Sequence, residues 1–219
     1  MKALAAGQPS LASMGPSLAS ISPPLASISP APLLTIDRSW EAVLPSPSSA
    51  FDWWYVDARD ASGDGLVLIW ASALPFFRER APSVNLALYR AGRPALWLLE
   101  QVLPSQWSAR TSADGFSIAL GGSELRLERR GERLSLRARL DLAVPGDRRR
   151  LTGEIVVTGP SVVGGEPAAQ AHRWTPICPV AQVQARLSFG GAPHFSLDAK
   201  GYLDRNQSSL PLAFTASRM

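Results

Sequence analysis

The chain has one cysteine in 219 residues, Cys178, so no disulfide can form within it and the fold needs no oxidising compartment. A buried, inert thiol is the reading for that residue. Histidine is almost as scarce: His172 and His194 are the two present, and neither stands at ligand spacing from cysteines or carboxylates, which argues against a metal centre. Charged residues make up 18% of the chain, with 22 Lys and Arg against 18 Asp and Glu, a balance too even to argue for nucleic acid as a partner. No apolar run reaches the roughly 18 residues that a membrane-spanning helix requires. The best candidate, LVLIWASALPFF, is cut by Pro75 and followed by Arg78. Phosphate-cradling glycine loops are missing, since GGSE and VGGEP lack the following Lys-Ser/Thr and any dinucleotide fingerprint. No serine-nucleophile motif occurs, and no stretch carries a helical period.

What the chain does have is apolar residues, 46% of the total, enough for one domain with a substantial core. Its first part is a short repeat, PSLASMG, PSLASIS, PPLASIS and PAPL, from Pro9 to Leu33. Each unit carries a helix-breaking proline, and the serines leave too little apolar surface to fold alone. Residues 1–39 therefore read as a disordered or extended tail, and residues 40–219 as the folded domain. Lys2 followed by an uncharged stretch resembles a secretory signal, but Gln8, Pro9 and Gly15 interrupt its apolar part, so retention on the cytoplasmic side is the expectation.

From about Trp40 onward, short runs of aromatic and branched residues alternate with Gly, Pro, Asp and Ser. The pattern predicts strands over Trp53 to Asp57, Leu66 to Leu74, Val84 to Arg90, Ala95 to Leu103, Phe116 to Leu120, Glu124 to Arg129, Arg133 to Leu142, Leu151 to Thr158, Val180 to Phe189 and Phe195 to Leu203. In RLSLRARLDL the residues Leu134, Leu136, Ala138, Leu140 and Leu142 share one face, and Arg133, Arg137, Arg139 and Asp141 share the other. The arginines between Arg126 and Arg150 thus belong to a solvated strand face. So many strands on short turns make an all-β antiparallel meander, closing as a barrel or packing as a sandwich, because closure removes exposed edges. Strands such as LVLIWASAL are apolar on both faces, which suits a wall with a core on one side and a greasy cavity or a second layer on the other.

Three segments concentrate chemistry-bearing side chains. In FDWWYVD, the aromatics Trp53, Trp54 and Tyr55 serve equally as core or as the wall of an aromatic pocket. In HRW, the i and i+2 positions put His172 and Trp174 on one face of an extended segment; in GYLD, the same spacing pairs Tyr202 with Asp204. Each pair couples a proton-handling group to an aromatic. Spacing alone also fits a rim histidine and an ordinary turn at DRN. Along the last predicted strand Tyr202 and Asp204 share parity with Asp198 and Lys200, a solvent-facing pattern, so a bulge at Gly201 is the device expected to re-aim them.

Taken in order, FDWWYVDA, VNLALYR, HRWTPICPVAQVQARL and GYLDRN resemble carotenoid 1,2-hydratase, the lipocalin-like family that includes hydroxyneurosporene synthase. The resemblance runs from about Phe51 to Leu212. It implies a lipocalin-like barrel and cofactor-free hydration of the terminal double bond of an acyclic carotenoid, such as neurosporene or lycopene, to a tertiary alcohol. It maps the catalytic set onto Asp204, His172, Tyr202 and Trp174; for such a reaction the aromatics Trp53, Trp54 and Tyr55 are the expected substrate-contacting side chains. A substrate dissolved in lipid implies peripheral contact with the membrane. Family members usually continue well past GYLD, so the resemblance also implies a C-terminally short copy whose barrel is incomplete. A non-catalytic isoprenoid carrier and a related isoprenoid cyclase are the alternatives.

Overall fold

The computed structural model describes residues 51–73, 81–161 and 172–210. The repeat, the signal-like segment, the division at residues 39 and 40, and the chain after residue 210 lie outside them. Eleven strands form one antiparallel sheet: β1 (Phe51–Arg59), β2 (Gly65–Ala73), β3 (Ser83–Arg90), β4 (Arg93–Gln101), β5 (Trp107–Ser112), β6 (Gly115–Leu120), β7 (Ser123–Arg130), β8 (Arg133–Ala143), β9 (Arg150–Pro160), β10 (His172–Phe189) and β11 (Ala192–Ser208). Among the described residues the one helical element is a 3₁₀ turn, Pro104–Gln106.

The order across the sheet is β4-β3-β2-β1-β11-β10-β9-β8-β7-β6-β5. Two hairpin meanders, β1 to β4 and β5 to β9, are therefore joined through the long strands β10 and β11. The turn between those strands is Gly190-Gly191, with φ of 57° and 85°, the left-handed pair that a two-residue hairpin needs and that side chains disfavour. The sheet curls into a half-barrel, and side chains from both meanders fill its concave side as one cluster. Trp54, Leu68 and Trp70 from the first meander belong to it with Phe116, Leu127, Leu136 and Ile155 from the second. The rings of Trp54 and Phe116 meet across it at 5.1 Å.

This is the all-β antiparallel architecture that the alternation predicts. As expected for strands apolar on both faces, one face packs into the core on the concave side, and the other lies on the outside of the sheet. Two strands differ from expectation. β5 has no counterpart in the sequence reading, because WSARTS carries almost no buried residue. β10 begins at His172 rather than Val180 and runs through Pro176 and Pro179. It tolerates both prolines because its ladder with β9 starts only at Gln182, and the register with β11 shifts between Pro176 and Cys178 and again between Cys178 and Ala181.

The expected bulge at Gly201 does not exist: β1 and β11 pair without a break from Phe51↔Ser208 to Ala58↔Gly201, and the irregularity sits on β10 instead. Gly201 is needed for close approach, since a Cβ there would lie 2.3 Å from the Asp57 carbonyl oxygen and 2.5 Å from Val183 Cγ2. The arginine face of the second meander is solvated as expected. Arg126 pairs with Glu128, Arg137 with Glu154 and Arg149 with Asp147.

Candidate functional site

On an antiparallel sheet, residues directly opposite one another point to the same face. The pairing of β1, β11 and β10 therefore builds a ladder of side chains on the outer face, rung by rung. Phe51, Ser208 and His172 form the first rung; Trp53, Asn206 and Trp174 the second; Tyr55, Asp204 and Pro176 the third; Asp57 and Tyr202 the fourth. Two segments more than 25 residues apart in sequence, HRW and GYLD, thus become neighbours because β10 and β11 form one long hairpin.

Asp204 lies at the centre of this ladder and is 5% exposed. Its Oδ2 accepts a hydrogen bond of 2.6 Å from the Trp174 Nε1–H, and its Oδ1 accepts one of 2.9 Å from the Asn206 side-chain amide. The Asn206 carbonyl oxygen is 3.3 Å from His172 Nε2. With the amide turned to donate to Asp204, that contact requires a proton on Nε2, which leaves Nδ1 as the acceptor in that tautomer. Phe51 holds the ring from the other side, edge-on at 5.3 Å, and itself stacks on Trp53 at 4.8 Å. The chain His172–Asn206–Asp204–Trp174 fixes the carboxyl in one orientation.

Burial pushes the Asp204 carboxyl above its ordinary value, against the donors Trp174, Tyr202 and Asn206 that favour the charged form, and the charge of Asp57 adds to the rise. Tyr202 is raised as well, first by burial and then by the neighbouring Asp204. Its hydroxyl is buried and completes no hydrogen bond of good geometry among the described residues, although it stands near enough to the carboxyl for each to act on the other. Tyr55 donates to Asp57 Oδ2 at 3.3 Å, and burial followed by the charge of Asp57 pushes its phenol up to about 12.

The structure brings together six of the seven residues named from sequence: Asp204, His172, Tyr202, Trp174, Trp53 and Tyr55. Trp54 separates from them. It points to the concave side, is buried in the core against Phe116, and has the Arg205 guanidinium 5.5 Å from its ring. Arg205 is held there by a buried two-point ion pair with Asp52, at 3.0 and 2.7 Å. Two site residues were missed, Asn206 and Asp57. The signal for both was the same i, i+2 alternation that pairs Tyr202 with Asp204, continued one step along each strand. Among the described residues no three side chains of His, Cys, Asp or Glu gather into a metal-holding group.

Around the ladder the outer face is apolar and only half covered. Val67, Ile69 and Ala71 of β2 extend its rungs; the Val67 rung continues as Ala87 and Trp97 on β3 and β4, while the other two continue as Asn85 and Leu99 and as Ser83 and Gln101. Trp97 is 69% exposed and Trp174 57%. A carboxyl that is buried and pushed toward its neutral form thus adjoins an aromatic surface open to an apolar ligand. Chemically, the arrangement can hold a protonated acid at the N–H edge of an indole whose exposed face is free to stabilise a developing cation.

No protein-family model matches the chain, and no curated protein matches it. Among solved structures, one from Nitrosomonas europaea described as an AttH candidate matches at 20% sequence identity with a TM-score of 0.49. The match covers 86% of this chain and 59% of that one, so the chain spans about three fifths of the length of the structure it matches.

Proposed function

We propose that this protein adds water to the terminal double bond of a long apolar isoprenoid, an acyclic carotenoid such as neurosporene or lycopene, giving a tertiary alcohol without a cofactor. The observation that carries the reading is Asp204: a carboxyl 5% exposed, held in one orientation by Trp174 and Asn206, beside an exposed aromatic face. Hydration of an unactivated alkene begins with a proton delivered to the less substituted carbon. An ordinary surface carboxyl is ionised at neutral pH and cannot supply it; a carboxyl kept neutral by desolvation can. Protonation leaves a tertiary cation, which the π faces of Trp174, Trp53 and Tyr55 stabilise. Tyr202 steadies the carboxyl, and His172, acting through Asn206, orients it and directs the incoming water. Because the polyene dissolves in lipid, the reading carries with it peripheral contact with the cytoplasmic side of a membrane.

The test is product analysis. Neurosporene or lycopene in detergent micelles, incubated with the protein, is expected to gain one water by mass spectrometry. Asp204→Asn should lower the rate by roughly 10²- to 10⁴-fold, the usual contribution of a positioned acid. Polyene binding without product, equal in protein and variant, would replace the hydratase by a carrier. A product of unchanged mass would replace it by an isoprenoid cyclase.

A further inference from the structure

One carboxyl on the ladder has no part in the scheme above. Asp57 lies directly opposite Tyr202, and Tyr55 directly opposite Asp204, so the two acids are diagonal neighbours on adjacent strands. In an antiparallel pair that diagonal spans about 7–8 Å between Cα atoms. The two phenols occupy the crossing diagonal. Tyr55 donates to Asp57 at 3.3 Å, while the buried Tyr202 hydroxyl stands against Asp204 and feels the charge of both carboxyls.

The surroundings of the two acids differ in kind. Asp204 is enclosed by Trp174, Asn206 and the rungs on either side. Asp57 is half-buried and forms part of the wall of an open-sided pocket of about 450 Å³, shared with Arg59, Val67, Tyr89 and Lys200. At about 30 Å³ per molecule that pocket has room for roughly 15 waters. Arg59 and Lys200 line the pocket on the Asp57 side of the pair, and the Tyr55 hydroxyl, which donates to Asp57, favours its ionised form against the burial that raises it.

We propose that Asp57 is the second proton-handling carboxyl of the site, the base that accepts a proton from the attacking water on the pocket side while Asp204 donates one to the alkene on the enclosed side. The inference rests on the hydration reading and deepens it. In the first step the Asp204 O–H bond breaks, the alkene π pair forms the new C–H bond, and a tertiary cation remains beside a carboxylate. Water from the pocket then forms the C–O bond, and the proton it sheds goes to the Asp57 carboxylate. Finally the Tyr202 hydroxyl gives its proton to Asp204 as it takes the one on Asp57. The sum is alkene plus water to alcohol, with both carboxyls restored. His172 is one residue further removed, since the Asn206 amide stands between its ring and Asp204.

The negative charge of Asp57 disfavours ionising Asp204, so removing it should make Asp204 the stronger acid. The groups that face the pair are Tyr55 and Arg59 from β1, Tyr89 from β3, Lys200 and Tyr202 from β11, and His172 from β10 beyond Asn206; β2 offers only Val67 and Ile69.

The experiment has two independent arms. Carboxyl ¹³C NMR of the full chain should show Asp57 and Asp204 titrating in linked steps, and in Asp57→Asn the Asp204 resonance should titrate at lower pH, because the neighbouring negative charge is gone. In hydration assays Asp57→Asn should lower kcat roughly 10²- to 10⁴-fold with KM little changed. Asp57→Glu should recover part of the rate, and His172→Gln should lose less than Asp57→Asn. Unchanged Asp204 titration in Asp57→Asn, or an unchanged kcat, would overturn the proposal. If the wild-type protein hydrates no polyene, the hydratase reading fails by itself, and the NMR arm still decides whether the two carboxyls act as a pair.

Discussion

At the scale of the residue, the property that matters is which form of Asp204 the folded chain prefers. Its carboxyl is raised from the ordinary 3.8, so at intermediate pH the folded state binds more protons than the unfolded chain. The stabilisation from its neutral form is complete below the unfolded value and is lost as pH rises from about 3.8 through the raised value. Asp52 and Asp57 are pushed the same way, chiefly by burial. Urea unfolding across about pH 4 to pH 8 should therefore show stability falling with pH, and Asp204→Asn should flatten that slope without abolishing it. An equal slope in the variant would mean that the carboxyl is ionised in the folded state. The i, i+2 pairs His172/Trp174 and Tyr202/Asp204 were visible in the sequence because strand alternation is a local rule. That Asn206 joins them was not, because a hydrogen bond between β10 and β11 depends on register.

At the scale of the element, β8 was the most legible. Its burial alternates as the leucines of RLSLRARLDLA predict, with Leu136 and Leu140 in the core and Arg137 and Arg139 in solvent. Leu136→Ala should cost about 2–5 kcal/mol, as a large-to-small change in a packed core does. Arg137→Ala, one residue away, loses only the exposed pair with Glu154 at 3.0 Å and should cost under about 1 kcal/mol. Denaturant midpoints of the two variants check the parity directly, and similar losses would show that the strand does not alternate as described. β10 was the least legible. The sequence places its start at Val180, yet it begins at His172, with Pro176 and Pro179 in the stretch ahead of the β9 ladder, where the missing amides are tolerated. The result is a single strand from His172 to Phe189 that carries His172 and Trp174 of the site.

At the scale of the molecule, the described strands share one core, so the two meanders should not unfold separately. Denaturation followed by tryptophan fluorescence and by far-ultraviolet circular dichroism should give one coincident transition. Phe116→Ala, which removes the ring that Trp54 meets from the second meander, should shift both signals together by about 3–5 kcal/mol. Two separated transitions in that variant would show that the halves hold together only through β10 and β11. The buried Asp52–Arg205 pair lies beneath the site on the concave side of the same strands. Removing one partner would leave an uncompensated buried charge, which is among the costlier changes a core can suffer.

The all-β class, the strand faces and the candidate pairs of catalytic side chains followed from the amino-acid order alone, because alternation and turn chemistry act over a few residues. Which face those side chains would occupy did not follow. Parity along β11 placed Tyr202 and Asp204 with Lys200 and Asp198, on what reads as a wet surface, and no bulge moves them off it. The face becomes dry only where β1 and the first half of β10 flank β11 with Tyr55, Trp53, Trp174 and Pro176. Desolvation is a property of everything packed around a group rather than of the group's neighbours in sequence, so the pairing of β1, β11 and β10 decided what a run of residues could only suggest.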